Sequence, residues 1–254
     1  MDFGCGSTAI KLNATINAFI ESQRQALSEE KSVVIHVGNN TKCKTSCSEL
    51  RVHKSIMHKA TSVKYLGNIV TPQGGLTETL EDRRNKGWGK VAIIEGLLSE
   101  VDMGSRRVEV GLMLRKAILV SSLLFTAETW SGIKDDQLRR IEQVDSALLR
   151  SLMKCHSKTT IEFLHLESGT MKLRHILSLN RIIYHHHLLQ TDDDETIKKM
   201  YLKQKLEPTK NYWYCSLQKD FQFIGLKITD EEIKVIPRFE YKKKIKNLIQ
   251  KSCF

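Results

Sequence analysis

The sequence predicts a mainly α fold with a small antiparallel β-sheet near its N-terminus. Three observations carry that expectation. From Thr77 onward, apolar residues recur three or four positions apart through most of the chain. Short β-branched runs closed by Gly or Asn are confined to residues 31–75. With only three prolines and fourteen glycines in 254 residues, little of the chain has the composition of a disordered tract or a long linker.

The first helical pattern runs from about Ser7 to Ala26, where Leu12, Ile16, Phe19 and Ile20 mark one face. "KSVVIHVG" (Lys31 to Gly38) follows, a run of β-branched residues closed by Gly38, Asn39 and Asn40, and reads as a strand and turn. "ELRVHKSIM" and "SVKYLGNIV" read as two further short strands, the second running into a turn at Gly74 and Gly75.

The period then changes. Leu80, Arg84, Trp88, Val91, Ile94 and Leu98 are spaced as one face of an amphipathic helix. Ser105 to Trp130 predicts a second, more apolar helix with a broad buried face. "DDQLRRIEQVDSALLRSLMKC" predicts a third, striped by Leu138, Ile141, Val144, Leu148 and Leu152. Asp135 and Asp136 near its start and Arg150 and Lys154 near its end complement the helix dipole. Further helices are expected at about Met171 to Gln190, Asp193 to Leu206, Trp213 to Phe223 and Asp230 to Lys251. Thr191 or Asp192 is the expected cap of one, and Thr229 of another.

Forty Lys and Arg against twenty-nine Asp and Glu leave a formal charge of +11. Such an excess favours polyanionic partners, because cations that neutralise phosphates release counterions. No apolar run reaches the length of a membrane span, and no basic n-region precedes an apolar h-region. Six scattered cysteines fit a reducing compartment. An intracellular protein, in cytoplasm or nucleus and without a membrane partner, is the expectation.

Few constellations carry chemistry. His185, His186 and His187 are consecutive, so on a helix their side chains diverge by about 100° and cannot share a metal ion. Cys43 and Cys47 have only His53 and His58 nearby as further ligands, and a strand pattern intervenes. Asp135–Asp136 and Asp192–Asp194 stand where helix caps are expected. Gly74–Gly75 lacks the further glycines of a phosphate cradle. The basic residues say more. Arg83, Arg84, Lys86 and Lys90 fall on one predicted helix, Arg106, Arg107, Arg115 and Lys116 on the next. Arg139, Arg140, Arg150, Lys154 and Lys158 follow, and "YKKKIK" lies at Tyr241 to Lys246. Their recurrence suggests a shared basic surface for a phosphate backbone.

In order along the chain, "ALSEEKSVVIHVG", "SVKYLGNIVTPQGG", a helix with "EDRR", "ILVSSLLFTAETW" and "LRRIEQVDSALLRSLMKC" resemble the C-terminal half of reverse transcriptases from non-LTR (LINE-type) retrotransposons. The tail from "LNRIIYHHHLL" to "KITDEEI" resembles the helical segment that follows the thumb in elements with a C-terminal nuclease. The resemblance implies a palm remnant at 1–75 (helix plus short strands), a thumb-like region at 76–156 and a post-thumb segment at 157–254. It places Lys31 at the family's motif-D lysine and Tyr65, Leu66 and Gly67 in the hairpin that steadies the primer end. Gly67 is then expected to let backbone approach closely, and Gly74–Gly75 to turn the chain toward the thumb. The expected RNA- or hybrid-binding residues are Lys31, Lys64, Arg83, Arg84, Lys90, Arg115, Lys116 and Arg139.

The family's polymerase chemistry needs a tyrosine-X-aspartate-aspartate hairpin holding two metal ions. This sequence has none, and Asp2 is a lone acid at its start. The expectation is therefore a truncated reverse-transcriptase-like protein. It has no catalytic residue and no cofactor of its own, Mg²⁺ belonging to the complete family enzyme. It binds RNA, DNA or hybrid weakly, and it is prone to self-association through exposed apolar surface. The alternatives are a fragment of a longer active polymerase and a helical interaction protein with no nucleic-acid role.

Overall fold

The computed structural model describes Ala18, Ser22 and residues 33–35, 50–52, 55–100, 104–207 and 212–253. The expected N-terminal helix, Lys31, Cys43, Cys47 and Asp2 lie outside these, although Ala18 and Ser22 are helical. The fold is mainly α with a small β region toward the N-terminus. The chain divides into two units, Met1–Thr79 and Leu80–Phe254.

In the first unit, β1 (Val33–Val34), β2 (Leu50–Val52) and β3 (Ser55–Lys59) form a sheet in the order β1-β3-β2. β2 and β3 are antiparallel, with Arg51 opposite Ile56. β1 joins β3 in parallel, Val33 opposite His58, so the antiparallel pairing is accompanied by one parallel pair. "ELRVHKSIM", expected as one strand, is thus two.

"SVKYLGNIV" also divides, into β4 (Val63–Tyr65) and β5 (Asn68–Val70), paired antiparallel with Tyr65 opposite Asn68. The loop between them is two residues, Leu66 at φ 45° and Gly67 at φ 79°. Positive φ at both positions is the type I′ turn, whose twist matches that of the flanking strands. Gly67 therefore supplies the second position of that turn. A second turn follows, where the Gly74 N–H donates to the Thr71 carbonyl at 3.0 Å. The Ile69 N–H donates to Thr79 Oγ1 at 2.9 Å, and that hydroxyl donates back to the Ile69 carbonyl at 3.1 Å. One side chain thus fixes the hairpin against the first turn of α1 (Thr77–Glu100).

The second unit is built from helices. The buried face of α1 is Leu80, Arg83, Gly87, Val91, Ile94 and Leu98. Arg83 and Gly87 replace the expected Arg84 and Trp88, and Trp88 is exposed. Glycine at 87 lets α1 approach closely: a Cβ there would lie 2.7 Å from Leu123 Cδ2 and 3.1 Å from Val144 Cγ1. The expected helix from Ser105 to Trp130 is shorter. α2 (Arg107–Leu114) passes through a π-helical stretch, Arg115–Val120, into α3 (Ser121–Leu123). Thr126 then adopts φ 57°, ψ 18°, and a 3₁₀ turn, Ala127–Thr129, leads to buried Trp130.

α4 (Asp135–Met153) buries all five expected stripe residues, and Asp135 and Asp136 occupy its first turn. A helix the sequence pattern missed, α5 (Ile161–Glu167), begins where Thr160 Oγ1 accepts the Phe163 N–H. α6 (Leu173–Gln190) follows, and α7 (Thr196–Leu206) starts five residues later than Thr191, which instead ends α6. α8 (Tyr212–Phe223) precedes α9 (Asp230–Val235), which opens on a capping box. There Thr229 Oγ1 accepts the Glu232 N–H, and the Glu232 carboxylate accepts the Thr229 N–H. Pro237 has no N–H to continue a helix, so the expected single helix from Asp230 to Lys251 becomes α9 and α10 (Arg238–Cys253).

The regions expected at 76–156 and 157–254 share one interior. Arg174 donates to the Glu142 carboxylate at 2.9 and 2.8 Å, Arg181 Nη1 to Asp220 at 2.6 Å, and Trp213 Nε1 to the Glu128 carbonyl at 2.8 Å. A core of Ile182, Leu217, Ile233, Tyr241, Ile245 and Ile249 closes α6, α8, α9 and α10 together.

Candidate nucleic-acid interface

The arginines fall into two classes, and burial separates them. Arg83 is 6% exposed. Its Nη1 donates to the Ser122 carbonyl at 3.1 Å, and its guanidinium lies 5.2 Å from the centre of the Phe125 ring. Burial pushes its pKa below the ordinary value, against the opposing carboxylate of Asp82. Arg115, 4% exposed, forms a two-point pair with Asp145 and also donates to the Met171 carbonyl at 3.3 Å. Both guanidiniums serve the interior, and neither is available to a phosphate backbone. This corrects their expected place in the basic surface: the helical spacing that put them beside exposed cations also put them on the inward face.

The other expected contacts are distributed as follows. Arg84 is partly exposed and pairs with Glu81 at 2.8 Å, a surface pair of modest worth. Lys90 is half-buried, whereas Lys116 and Arg139 are exposed. Neither Lys116 nor Arg139 makes an ion pair or hydrogen bond with a described residue. Arg140, Lys154 and Lys158 are exposed as well, while Arg150 turns back to the Thr159 carbonyl at 2.9 Å. In the first unit, Lys64 is exposed on β4, and Tyr65 and Leu66 stand at the hairpin tip, 67% and 71% exposed. Lys31, the expected motif-D lysine, lies outside the described residues.

The histidine run is structural. His185 and His186 are buried in α6, and their ring nitrogens meet the Tyr201 hydroxyl at 2.9 Å and the Ile236 carbonyl at 2.8 Å. His187 is exposed. His165, buried at the end of α5, bonds Thr170 Oγ1 at 3.0 Å, and burial depresses its pKa, against the pull of Asp145. Among the described residues, no three His, Cys, Asp or Glu side chains gather as a metal ion requires. Asp192, Asp193 and Asp194 are exposed in the turn before α7. Among the described residues, no helix is long and apolar enough to cross a membrane.

The sequence places the lysines of α10 in the expected basic surface as the run "YKKKIK", without grouping them with Phe239. The structure leaves Lys242, Lys243 and Lys246 exposed on the same helix as Phe239, which is 79% exposed. The spacing i, i+3, i+4, i+7 from Phe239 is the signal that could have marked them as one group.

Comparison with protein-family models, with curated proteins and with solved structures returned no match.

Proposed function

We propose that the chain is a reverse-transcriptase-like nucleic-acid-binding segment that holds RNA or an RNA–DNA hybrid and does not by itself synthesise DNA. The observation that carries the reading is the hairpin Val63–Val70, with Lys64 exposed on its first strand and Tyr65 and Leu66 exposed at its tip, leading into α1 as the resemblance implies. The helical unit, taken by itself, carries exposed cations of its own at Lys116 and Arg139. Binding through such groups is electrostatic and independent of sequence, since phosphate contacts position a polynucleotide without reading its bases.

The polymerase part rests on chemistry. In-line nucleotidyl transfer needs carboxylates held rigidly around two metal ions. The sequence has no tyrosine-X-aspartate-aspartate core, and Asp135 and Asp136 belong to an exposed first helical turn. A primer-extension assay with Mg²⁺ or Mn²⁺ is expected to give no templated product. Titration of a labelled hybrid is expected to give weak binding that falls steeply with salt. Extension by this chain overturns the first part, and undetectable or salt-insensitive binding overturns the second.

One observation favours a second reading, a helical interaction protein with no nucleic-acid role: Arg83 and Arg115 are spent on the interior. K116Q/R139Q discriminates. Each phosphate contact on a duplex contributes about 0.9 to the salt slope, so the proposed function expects the double variant to lower it by roughly 1.8.

A further inference from the structure

α10 turns one ridge inward and leaves another side of the helix to solvent. Tyr241, Ile245 and Ile249 form the buried ridge, with the His186 ring stacked on Tyr241 at 5.0 Å. At about 100° per residue, Phe239, Lys242, Lys243 and Lys246 fall within one sector of roughly 100° on the flank of that ridge. All four are exposed, and the three lysines make no hydrogen bond or ion pair with a described residue. The group extends over about 10 Å of helix axis at 1.5 Å per residue. At its edge, Arg238 and Lys242 border a cleft of about 390 Å³ that His187 and Tyr184 of α6 also line.

We propose that this flank of α10 is a contact site for single-stranded nucleic acid, with Lys242, Lys243 and Lys246 on successive phosphates and one base stacked on Phe239. Three uncompensated cations on one flank select a polyanion. The aromatic ring selects among polyanions. A duplex keeps the faces of its bases inside the stack, whereas a single strand presents a π-face that any aromatic side chain can cover. A membrane surface fits less well, because a helix lying in lipid must bury an apolar face there, and the apolar ridge of α10 is already buried in protein. This goes beyond the hybrid-holding function: it concerns a different helix, and it stands or falls without the hairpin, Lys116 or Arg139.

The test uses the full chain with four probes: labelled oligo(dT), an RNA–DNA hybrid, heparin, and vesicles containing anionic lipid. Phe239→Ala is expected to weaken oligo(dT) about tenfold, within the effect of losing one stacked base, and to leave both heparin affinity and the salt slope unchanged. K242Q/K243Q/K246Q is expected to lower the oligo(dT) salt slope by about 2, from roughly 0.7 per contact on a single strand. All four positions are exposed, so far-UV circular dichroism of the variants should match that of the parent chain. The proposal is overturned if oligo(dT) does not bind at low salt. It is equally overturned if Phe239→Ala has no effect, weakens heparin equally, or acts on vesicles and not on oligo(dT). Loss of hybrid binding in K116Q/R139Q with oligo(dT) unaffected leaves both sites standing. The reverse pattern in the α10 variants locates the single-strand site alone.

Discussion

Arg115 and Asp145 face each other across the helical unit as a planar two-point pair, Nε to Oδ1 and Nη2 to Oδ2, both at 2.6 Å and both side chains at most 4% exposed. Taking two charges out of water is costly, and the geometry offsets that cost only while both partners are present. Asp145→Asn leaves a buried guanidinium without its counter-charge and is expected to lower stability by about 3–5 kcal/mol in urea unfolding. Replacing both with apolar residues, R115M/D145L, is expected to cost less than either single change. A loss below about 1 kcal/mol for D145N would show that the pair contributes little beyond packing.

Two glycines of the helical unit separate space from propensity. Glycine in a helix interior costs roughly 0.5–1 kcal/mol relative to alanine, so an open position gains from the change. Gly89 has nothing within 4 Å of a would-be Cβ, and Gly89→Ala is expected to raise stability by about that amount. At Gly111 the Cβ would stand 2.3 Å from Leu152 Cδ2 and 3.0 Å from Cδ1. Overpacking of that kind costs about 1–3 kcal/mol, which outweighs the propensity gain, so Gly111→Ala is expected to destabilise. Opposite signs at the two positions, read from thermal or urea unfolding, check the packing of α2 on α4. Equal signs would contradict it.

What the sequence showed and what it hid divide along the range of the interactions. The α4 stripe was legible because each residue's burial follows from neighbours three or four positions away, and all five were placed correctly. The inward role of Arg115 was not, because its partner lies 30 residues away and nothing local distinguishes it from exposed Lys116. The face of α1 was misjudged by one position in the middle turns, where Arg83 and Gly87 pack inward and an apolar scan prefers Trp88. α5 was missed for its shortness, although the Thr160 cap and Gly169 at φ 61° bracket it. The end of α3 was hidden as well: Thr126 carries the left-handed turn that a scan reserves for glycine. The candidate interface was legible as charge and illegible as surface, since composition counts cations without saying which are spent on the interior.

Leu66 occupies the first position of the β4–β5 turn at φ 45°, a conformation that costs a residue with a Cβ roughly 1–2 kcal/mol. Its side chain is 71% exposed, so little packing compensates. Asparagine tolerates this region and is favoured in type I′ turns before glycine. Leu66→Asn is expected to stabilise the hairpin by up to about 1 kcal/mol, read as slower amide exchange at Tyr65 and Asn68, the pair that closes the turn. Should Leu66 be the residue that contacts a polynucleotide, the same variant binds hybrid less well while folding better. That divergence separates a strained functional tip from a merely imperfect turn.

Acid is expected to loosen the C-terminal helices through His185. Its Nε2 lies 2.9 Å from the Tyr201 hydroxyl, which donates to Asp230 at 3.0 Å, and Lys205 donates to the same carboxylate at 2.6 Å. Burial pushes the imidazole down to about 4, outweighing the pull of Asp230, and Lys205 and Lys198 add to the depression. An unfolded chain titrates this group near its ordinary value of about 6.5. Between those values the unfolded state binds more protons, so the contribution is fully present above about pH 6.5 and is lost as pH falls toward 4. The gap corresponds to about 3–4 kcal/mol at most, at roughly 1.4 kcal/mol per unit. His175, pushed by burial to about 4 where its ring stacks on Phe223 at 5.4 Å, adds loss in the same window. His185→Gln retains a hydrogen-bonding group without the titration. It is expected to be less stable than the parent chain at pH 7, and to lose less of its stability between pH 6.5 and 4.5 in urea titrations. A parent and variant with parallel pH dependence would place the acid sensitivity on His175 or on the carboxylates instead.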